Sequence, residues 1–370
     1  MRVQSDMRRL VIDGTEIGDA GDCYVIAEIG HNHGGSVETA KKLFEEARNC
    51  GADAVKLQKR DNRGLFTRDA YDKPYENENS FGATYGEHRE ALELGRAEYT
   101  ELMAYAQELG VTFISAAFDF KSADFLADLD IPAYKIASGD LTNTPLLRHV
   151  ARIGKPVIFS TGGGRIDDVR RAHETLAEEN DQIAVLQCTA GYPAEWDELD
   201  LNVIATYRSM FPETVVGFSS HDNGIAMAVA AYVLGSRIVE KHFTLNRALK
   251  GTDHVFSLEP PGLRKMVRDL KRARLALGDG TKTTHPSEVA PLTKMSKKIV
   301  AAHDLPAGHI LTEHDLLLKS PGDGLPPYEL ERVLGRTLRE PMLQDASLSF
   351  ELLEAAPHPE PSGVLSGRDG

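Results

Sequence analysis

Two histidines close consecutive apolar runs in this chain. Val215–Phe218 continues through Ser219 and Ser220 into His221, and Ile238–Lys241 is followed by His242. Between them Asn223-Gly224 breaks the chain, and Ile225–Leu234 has the small, apolar content of a packed helix. A strand–helix–parallel strand unit returns the chain to its starting side, so both strand ends share one edge of the sheet. The two imidazoles are therefore expected as neighbours, forming a metal-binding or catalytic pair. Glu240 and His242 are two apart and share a face of a run that otherwise suits burial, which is costly unless the face lines a site. Lys56, with Gln58 on the same face, and Lys135 also lie inside apolar runs, AVKLQ and YKIAS. Two inward lysines repel unless an anion sits between them, which points to a phosphate or carboxylate ligand. Ser160-Thr161-Gly162-Gly163-Gly164, ahead of a helical segment, offers hydroxyls and backbone N–H groups to the same anion. A Mn, Fe, Co or Zn ion on the histidines would polarise a carbonyl oxygen. Glu28, Asp140 or Asp253 would then act as acid–base groups or further ligands. Cys188 reads as a small buried residue rather than a nucleophile.

The elements that must position these groups alternate regularly. Runs with strand character are Tyr24–Ile29, Ala54–Leu57, Thr112–Ser115, Ala133–Ala137, Val157–Ser160, Ala184–Gln187, Val215–Phe218 and Ile238–Lys241. Amphipathic segments separate them, for example Ser36–Asn49, where Ser36 suits a helix start and Gly51 a stop. Eight strands alternating with helices predict an α/β fold, a closed (β/α)8 TIM barrel; an open doubly wound sheet is the alternative, but no GxGxxG follows the first strand. All eight strand ends carry polar or small residues, as the reacting face of a barrel requires. The long Tyr-, Asn- and Asp-rich insertion Arg60–Leu94 follows the second strand, where a loop of this length is expected to be functional. The predicted division is a barrel over 1–280, a linker over 281–296, a compact unit of short β-like runs over 297–353 and a disordered tail over 354–370.

Composition narrows the partners. The chain has 370 residues, 41% of them hydrophobic, and a formal charge of −14, which argues against nucleic acid. No apolar run is long enough to span a bilayer, and the N-terminus lacks the apolar core of a signal peptide, so a cytoplasmic protein with no membrane partner is expected. Cys23, Cys50 and Cys188 are too widely separated for a CxxC site.

Taken together, AEIGHNHGG, ADAVKLQK, TYGEHREALE, YKIASGD, FSTGGG, LQCTAGYP, GFSSHDNG, EKHFTL and KGTDHVFSLEP resemble the sialic acid synthases. The segment Lys297–Leu353 resembles the SAF (antifreeze-like) domain that closes those enzymes. The resemblance implies condensation of phosphoenolpyruvate with N-acetylmannosamine, its 6-phosphate or a related N-acylated hexosamine. It implies His221 and His242 as ligands of a divalent metal, Mn²⁺ or Mg²⁺. Lys56, Lys135, Ser138, Ser160 and Ser219 would bind phosphoenolpyruvate, and Glu28 and Asp140 would flank the reacting carbons. Gln58, Tyr192 and Asp253 would face the sugar. It further implies a domain-swapped homodimer. Ser320 stands where some members carry an Arg that reaches the partner's sugar site, with Lys319 beside it. A different aldose acceptor and a catalytically silent sugar-binding protein are the other readings; the intact lysines and histidines speak against the second.

Overall fold

The computed structural model describes residues 8–355. The expected disordered tail lies outside these residues apart from Glu354 and Ala355. The chain divides into two compact units, Met1–Asp279 and Gly280–Gly370. No helix among the described residues is long and apolar enough to cross a membrane.

The first unit begins with a hairpin that lies ahead of the eight strand-like runs. Strands β1 (Arg9–Ile12) and β2 (Thr15–Gly18) pair antiparallel around Asp13-Gly14. Both turn residues have positive φ, 49° and 76°, as a two-residue hairpin turn of this hand requires. Eight parallel strands follow: β3 (Tyr24–Gly30), β4 (Ala54–Lys59), β5 (Thr112–Ala117), β6 (Tyr134–Ile136), β7 (Val157–Ser160), β8 (Ile183–Cys188), β9 (Val215–Ser220) and β10 (Ile238–His242). They pair in sequence order and close between β10 and β3, as expected of a TIM barrel.

Period-2 alternation splits each strand between two cores. Outward residues such as Val25, Ala27, Val55, Phe113 and Val239 pack against the helices. The helix Val37–Asn49 shows how: Ala40, Leu43, Phe44 and Ala47 form one buried stripe, and the Ser36 hydroxyl accepts the Thr39 N–H at its start. Inward residues Ile26, Ala54, Ile114, Ile158, Leu186, Val215 and Ile238 join Leu10, Ile12 and Ile17 of the hairpin in a second apolar cluster. The hairpin thus closes the floor of the barrel. Above that cluster the next inward positions are polar, which sets up the site described below.

The second unit contains the antiparallel pair β11 (Lys298–Ala301) and β12 (Leu316–Lys319), around a core of Ile299, Leu305, Leu311, Leu316, Val333, Leu338, Met342 and Leu348. The segment expected as a linker contains a helix, Pro286–Met295. Pro286 occupies its first turn, where the missing N–H costs nothing, and Pro291 lies inside the helix.

Candidate active site

Each strand contributes the inward residue one or two steps above the apolar layer. Register sets His242 of β10 level with Glu28 of β3, and Glu28 level with Lys56 of β4. On the other side Glu240 is level with Ser219 of β9. These residues, with Lys135, Ser160 and Cys188 from β6, β7 and β8, line one cavity of about 730 Å³ at the C-terminal ends of the strands. Gln58, Ser138, Tyr192, His221 and Asp253 line it too. A larger groove of about 880 Å³, lined by Asp13, Arg48, Asp53 and Lys271, includes hairpin residues that mark the opposite end, the stabilising rather than the reacting face of a barrel.

At the cavity base lies a buried charge cluster. Lys56 Nζ is 2.9 Å from Glu28 Oε2 and 3.6 Å from Glu240 Oε2; Lys135 Nζ is 3.7 Å from Glu240 Oε1. Lys135 also donates to the Ser160 hydroxyl at 2.6 Å, and the Ser219 hydroxyl donates to Glu240 at 3.0 Å. The anion that two inward lysines require is therefore supplied first by the protein itself, as Glu240, which corrects the expectation that a ligand must fill that place. Burial alone would raise the Glu240 pKa, but Lys135 and Lys56 overcome it and hold the carboxylate down at about 2. Burial, with Glu240 adding and Lys56 opposing, pushes Glu28 up. Burial disfavours both ammonium groups; Glu240 and Glu28 outweigh it at Lys56, whose pKa rises, whereas at Lys135 burial prevails and the pKa falls. Two carboxylates on one lysine are thus driven apart, one fixed as an anion and the other inclined to hold a proton.

The two histidines meet beside this cluster, with ring centroids 5.2 Å apart. Burial, with His242 adding, lowers the His221 pKa to about 3, and burial lowers that of His242 to about 4. Both rings are neutral near pH 7. His221 Nδ1 lies 2.9 Å from the Thr189 carbonyl oxygen, so it carries the proton and Nε2 keeps its lone pair. His242 Nδ1 is buried without a hydrogen-bond partner and lies 3.8 Å from Asp253 Oδ2. Among the described residues no three His, Cys, Asp or Glu side chains form a ready metal cage. Outside the barrel, Lys241 Nζ grips the Asp222 carboxylate at 2.8 Å and its carbonyl at 2.6 Å, pinning the turn that presents His221. Tyr192 stacks over His221 at 4.1 Å.

Asp140 is the one residue of the expected set that does not line the cavity. It ends the short turn Ser138–Asp140, and its carboxylate accepts from Asn143 Nδ2 at 3.1 Å, next to the start of the helix Thr144–Arg152. Ser138 does face inward, where its hydroxyl accepts the Gly162 N–H at 2.9 Å. In the second unit Lys319 pairs with Asp345 of the same unit.

Comparison with known proteins identifies the family. The NeuB family model matches residues 43–282, and the SAF domain model matches residues 298–354. The chain belongs to the NeuB family. It is 37% identical over 343 residues to the human N-acetylneuraminate-9-phosphate synthase, covering 92% of this chain and 95% of that protein. It is 33% identical to the N,N'-diacetyllegionaminic acid synthase of Legionella pneumophila, covering 91% and 96%. A crystal structure of N-acetylneuraminic acid synthetase from Leptospira borgpetersenii superposes with a TM-score of 0.68 at 28% identity, covering 77% of this chain and 95% of that one. This NeuB-family chain is accordingly an enzyme of the synthase type, a TIM barrel followed by a SAF domain.

Several wall residues of this NeuB barrel were missed in the sequence: Glu240 as a counterion, and His31, Asn79, Arg60 and Arg89 at the mouth. Glu240 was visible through its spacing from His242. Arg60 extends the Lys56, Gln58 alternation by one more step, so the same period reaches it. Arg89 was legible only as part of the insertion, which folds as the short helices Asn62–Leu65, Arg68–Tyr71 and Tyr85–Glu90.

Proposed function

We propose that this chain condenses phosphoenolpyruvate with an N-acylated hexosamine to give a nonulosonic acid and inorganic phosphate. The observation that carries the proposal is the convergence of Lys56, Lys135, Ser160 and Ser219 with two neutral imidazoles in one cavity. The ammonium groups and the Ser138 and Ser160 hydroxyls suit the phosphate and carboxylate of phosphoenolpyruvate. Carbon 3 of the enol ester attacks the open-chain aldehyde carbon, whose oxygen takes up a proton. Water adds at carbon 2, and cleavage of the carbon 2–oxygen bond releases phosphate. Glu28, inclined to hold a proton beside Lys56, is the group we assign to give and recover it at these steps. Gln58 orients it, donating to Glu28 Oε1 at 2.6 Å. Tyr192 and Asp253, at the rim, face the sugar.

A divalent Mn²⁺ or Mg²⁺ fits the donors present: the free lone pair of His221, the unpartnered buried nitrogen of His242 and the nearby Asp253 carboxylate. Such an ion supplies Lewis-acid polarisation of the aldehyde oxygen.

Incubation with phosphoenolpyruvate, Mn²⁺ and N-acetylmannosamine, with or without a 6-phosphate, is expected to release inorganic phosphate. Absence of release with any N-acylated hexosamine, diacetylated ones included, would falsify the proposal. His242→Ala is expected to abolish metal-dependent turnover, and full turnover with unchanged metal dependence would contradict the ligand assignment.

A further inference from the structure

The two histidines of the site rest on backbone of unequal support. His242 is the last residue of β10 and stands in register with Glu28 of β3. The next residue, Phe243, donates its N–H to the Glu28 carbonyl at 2.7 Å, so the pairing continues past the ligand. His221 lies beyond the end of β9. Pairing of β9 with β10 stops at Ser220 and Lys241, and pairing with β8 stops at Ser219 and Cys188. His221 is tied to the loop after β8, through the Thr189 carbonyl and through its own carbonyl, which accepts the Ala194 N–H at 3.4 Å. Those bonds leave its distance from β10 unset.

Ring packing does not set that distance either. Phe256 lies 4.9 Å from His242 and 5.8 Å from His221, and aromatic contacts accept a range of centroid separations. His242 Nδ1 has no hydrogen bond to hold its ring.

Lys241 and Asp222 are each the chain neighbour of one histidine, and they form an ion pair in which both side chains are 2% exposed. Alternation turns Lys241 away from the cavity, to the helix-facing side where Val239 and Phe243 are buried. Its ammonium donates to the Asp222 carbonyl at 2.6 Å and to Oδ1 at 2.8 Å, and the Ser220 hydroxyl donates to the same Oδ1. One residue of β10 therefore holds both main chain and side chain of the turn that carries His221. A buried ion pair is a poor way to stabilise a fold, because apolar side chains of equal volume do as well or better. Short charge-assisted hydrogen bonds instead fix a separation and a direction.

We infer that the Lys241–Asp222 pair is a positioning device that sets the spacing of His221 and His242 and thereby the affinity of the site for a divalent cation; the inference rests on the metal assignment proposed above. Ligand side chains must be held to within roughly 0.5 Å of the productive arrangement, and the pair supplies that constraint from behind the strand.

The test measures Mn²⁺ binding to the full chain by calorimetry, without substrates, together with the thermal midpoint. Lys241→Met combined with Asp222→Asn removes both charges at nearly constant volume. The midpoint is expected to stay within about 5 °C of the parent, whereas Mn²⁺ binding weakens about 10–100-fold. Asp222→Asn alone leaves a carbonyl and an amide oxygen to accept from Lys241, and should keep the affinity within about 3-fold. Asp222→Ala deletes the side-chain acceptor and should lose about 10-fold, which provides a reading even where the double variant does not fold. The KM for phosphoenolpyruvate at saturating Mn²⁺ is expected to change little, since Lys56 and Lys135 stand on other strands. Parental Mn²⁺ affinity in the folded double variant or in Asp222→Ala overturns the positioning role and leaves the metal assignment standing. Equal losses in Asp222→Asn and Asp222→Ala overturn it as well, because the carboxylate charge rather than the bond would then be the cause. A parent chain that binds neither Mn²⁺ nor Mg²⁺ removes both readings.

Discussion

Replacing Glu240 by Gln removes the anion that two buried ammonium groups share. Glu240 Oε1 and Oε2 lie 3.7 and 3.6 Å from Lys135 and Lys56, and all three side chains are at most 6% exposed. At an effective dielectric of about 20, each pair is attracted by roughly 4–5 kcal/mol, against a desolvation penalty of several kcal/mol per ion. Removing one partner from such a cluster costs about 3–5 kcal/mol because the remaining charges stay buried and unanswered. Linkage gives an independent figure. The folded carboxylate sits at about 2 rather than at the ordinary 4.5, which corresponds to about 3 kcal/mol at neutral pH.

The sign of the pH dependence follows. A carboxylate with a depressed folded pKa stabilises fully above its unfolded value and loses that contribution as pH falls toward the folded one. The difference between parent and Glu240→Gln, read from urea unfolding of the full chain, should be about 3 kcal/mol at pH 7. It should shrink by about 1 kcal/mol by pH 4. Glu28 remains beside Lys56 and replaces part of the lost charge, so the double variant Glu28→Gln, Glu240→Gln should lose more than either single one. A pH 7 difference below about 1 kcal/mol, or one that grows on acidification, would refute the charge assignment of the cluster. Sulfate or phosphoenolpyruvate should stabilise the single variant more than the parent, because it offers an anion to lysines that have just lost one.

Three further outcomes follow from packing and family. Ile12→Ala empties part of the barrel floor, where the side chain is fully buried against inward strand residues; a loss of about 2–5 kcal/mol in chemical denaturation is expected, and a change below about 0.5 kcal/mol would show that the hairpin does not seal the barrel. Gly217→Ala places a Cβ 2.3 Å from Leu186 Cδ2 and 2.7 Å from the Ile238 carbonyl oxygen, so the inner wall must shift at a cost of about 1–3 kcal/mol, read as a lowered thermal midpoint. The resemblance-based dimer should give a light-scattering mass twice the 40.5 kDa of one chain; a monomer mass would remove that idea.

The barrel was legible because burial on both faces writes each parallel strand as a short apolar run, and eight such runs recur with helices between them. Exceptions within the runs gave the site: Lys56, Lys135, Glu240 and His242 each interrupt an apolar strand at an inward position, where only a shared cavity makes the residue affordable. What periodicity could not give is the partner of each charge. Lys56 and Lys135 are far apart in sequence, and the carboxylate between them comes from the last strand of the barrel, so the pairing exists only once the sheet has closed. The hairpin floor was missed for a different reason. Its strands are only four residues each, too short for the alternation on either side of Asp13-Gly14 to stand out.

Asp140, expected from its position in a motif, lies where local geometry replaces strand alternation. Beyond the three-residue strand β6 the backbone tightens into a turn, so alternation stops predicting direction after Lys135. Ser138 still reaches the cavity, whereas the Asp140 carboxylate is held by Asn143 next to the following helix. Alternation therefore locates site residues only as far as the strand persists. On β4, which runs to Lys59, it remains informative through Gln58 and reaches Arg60 one residue later.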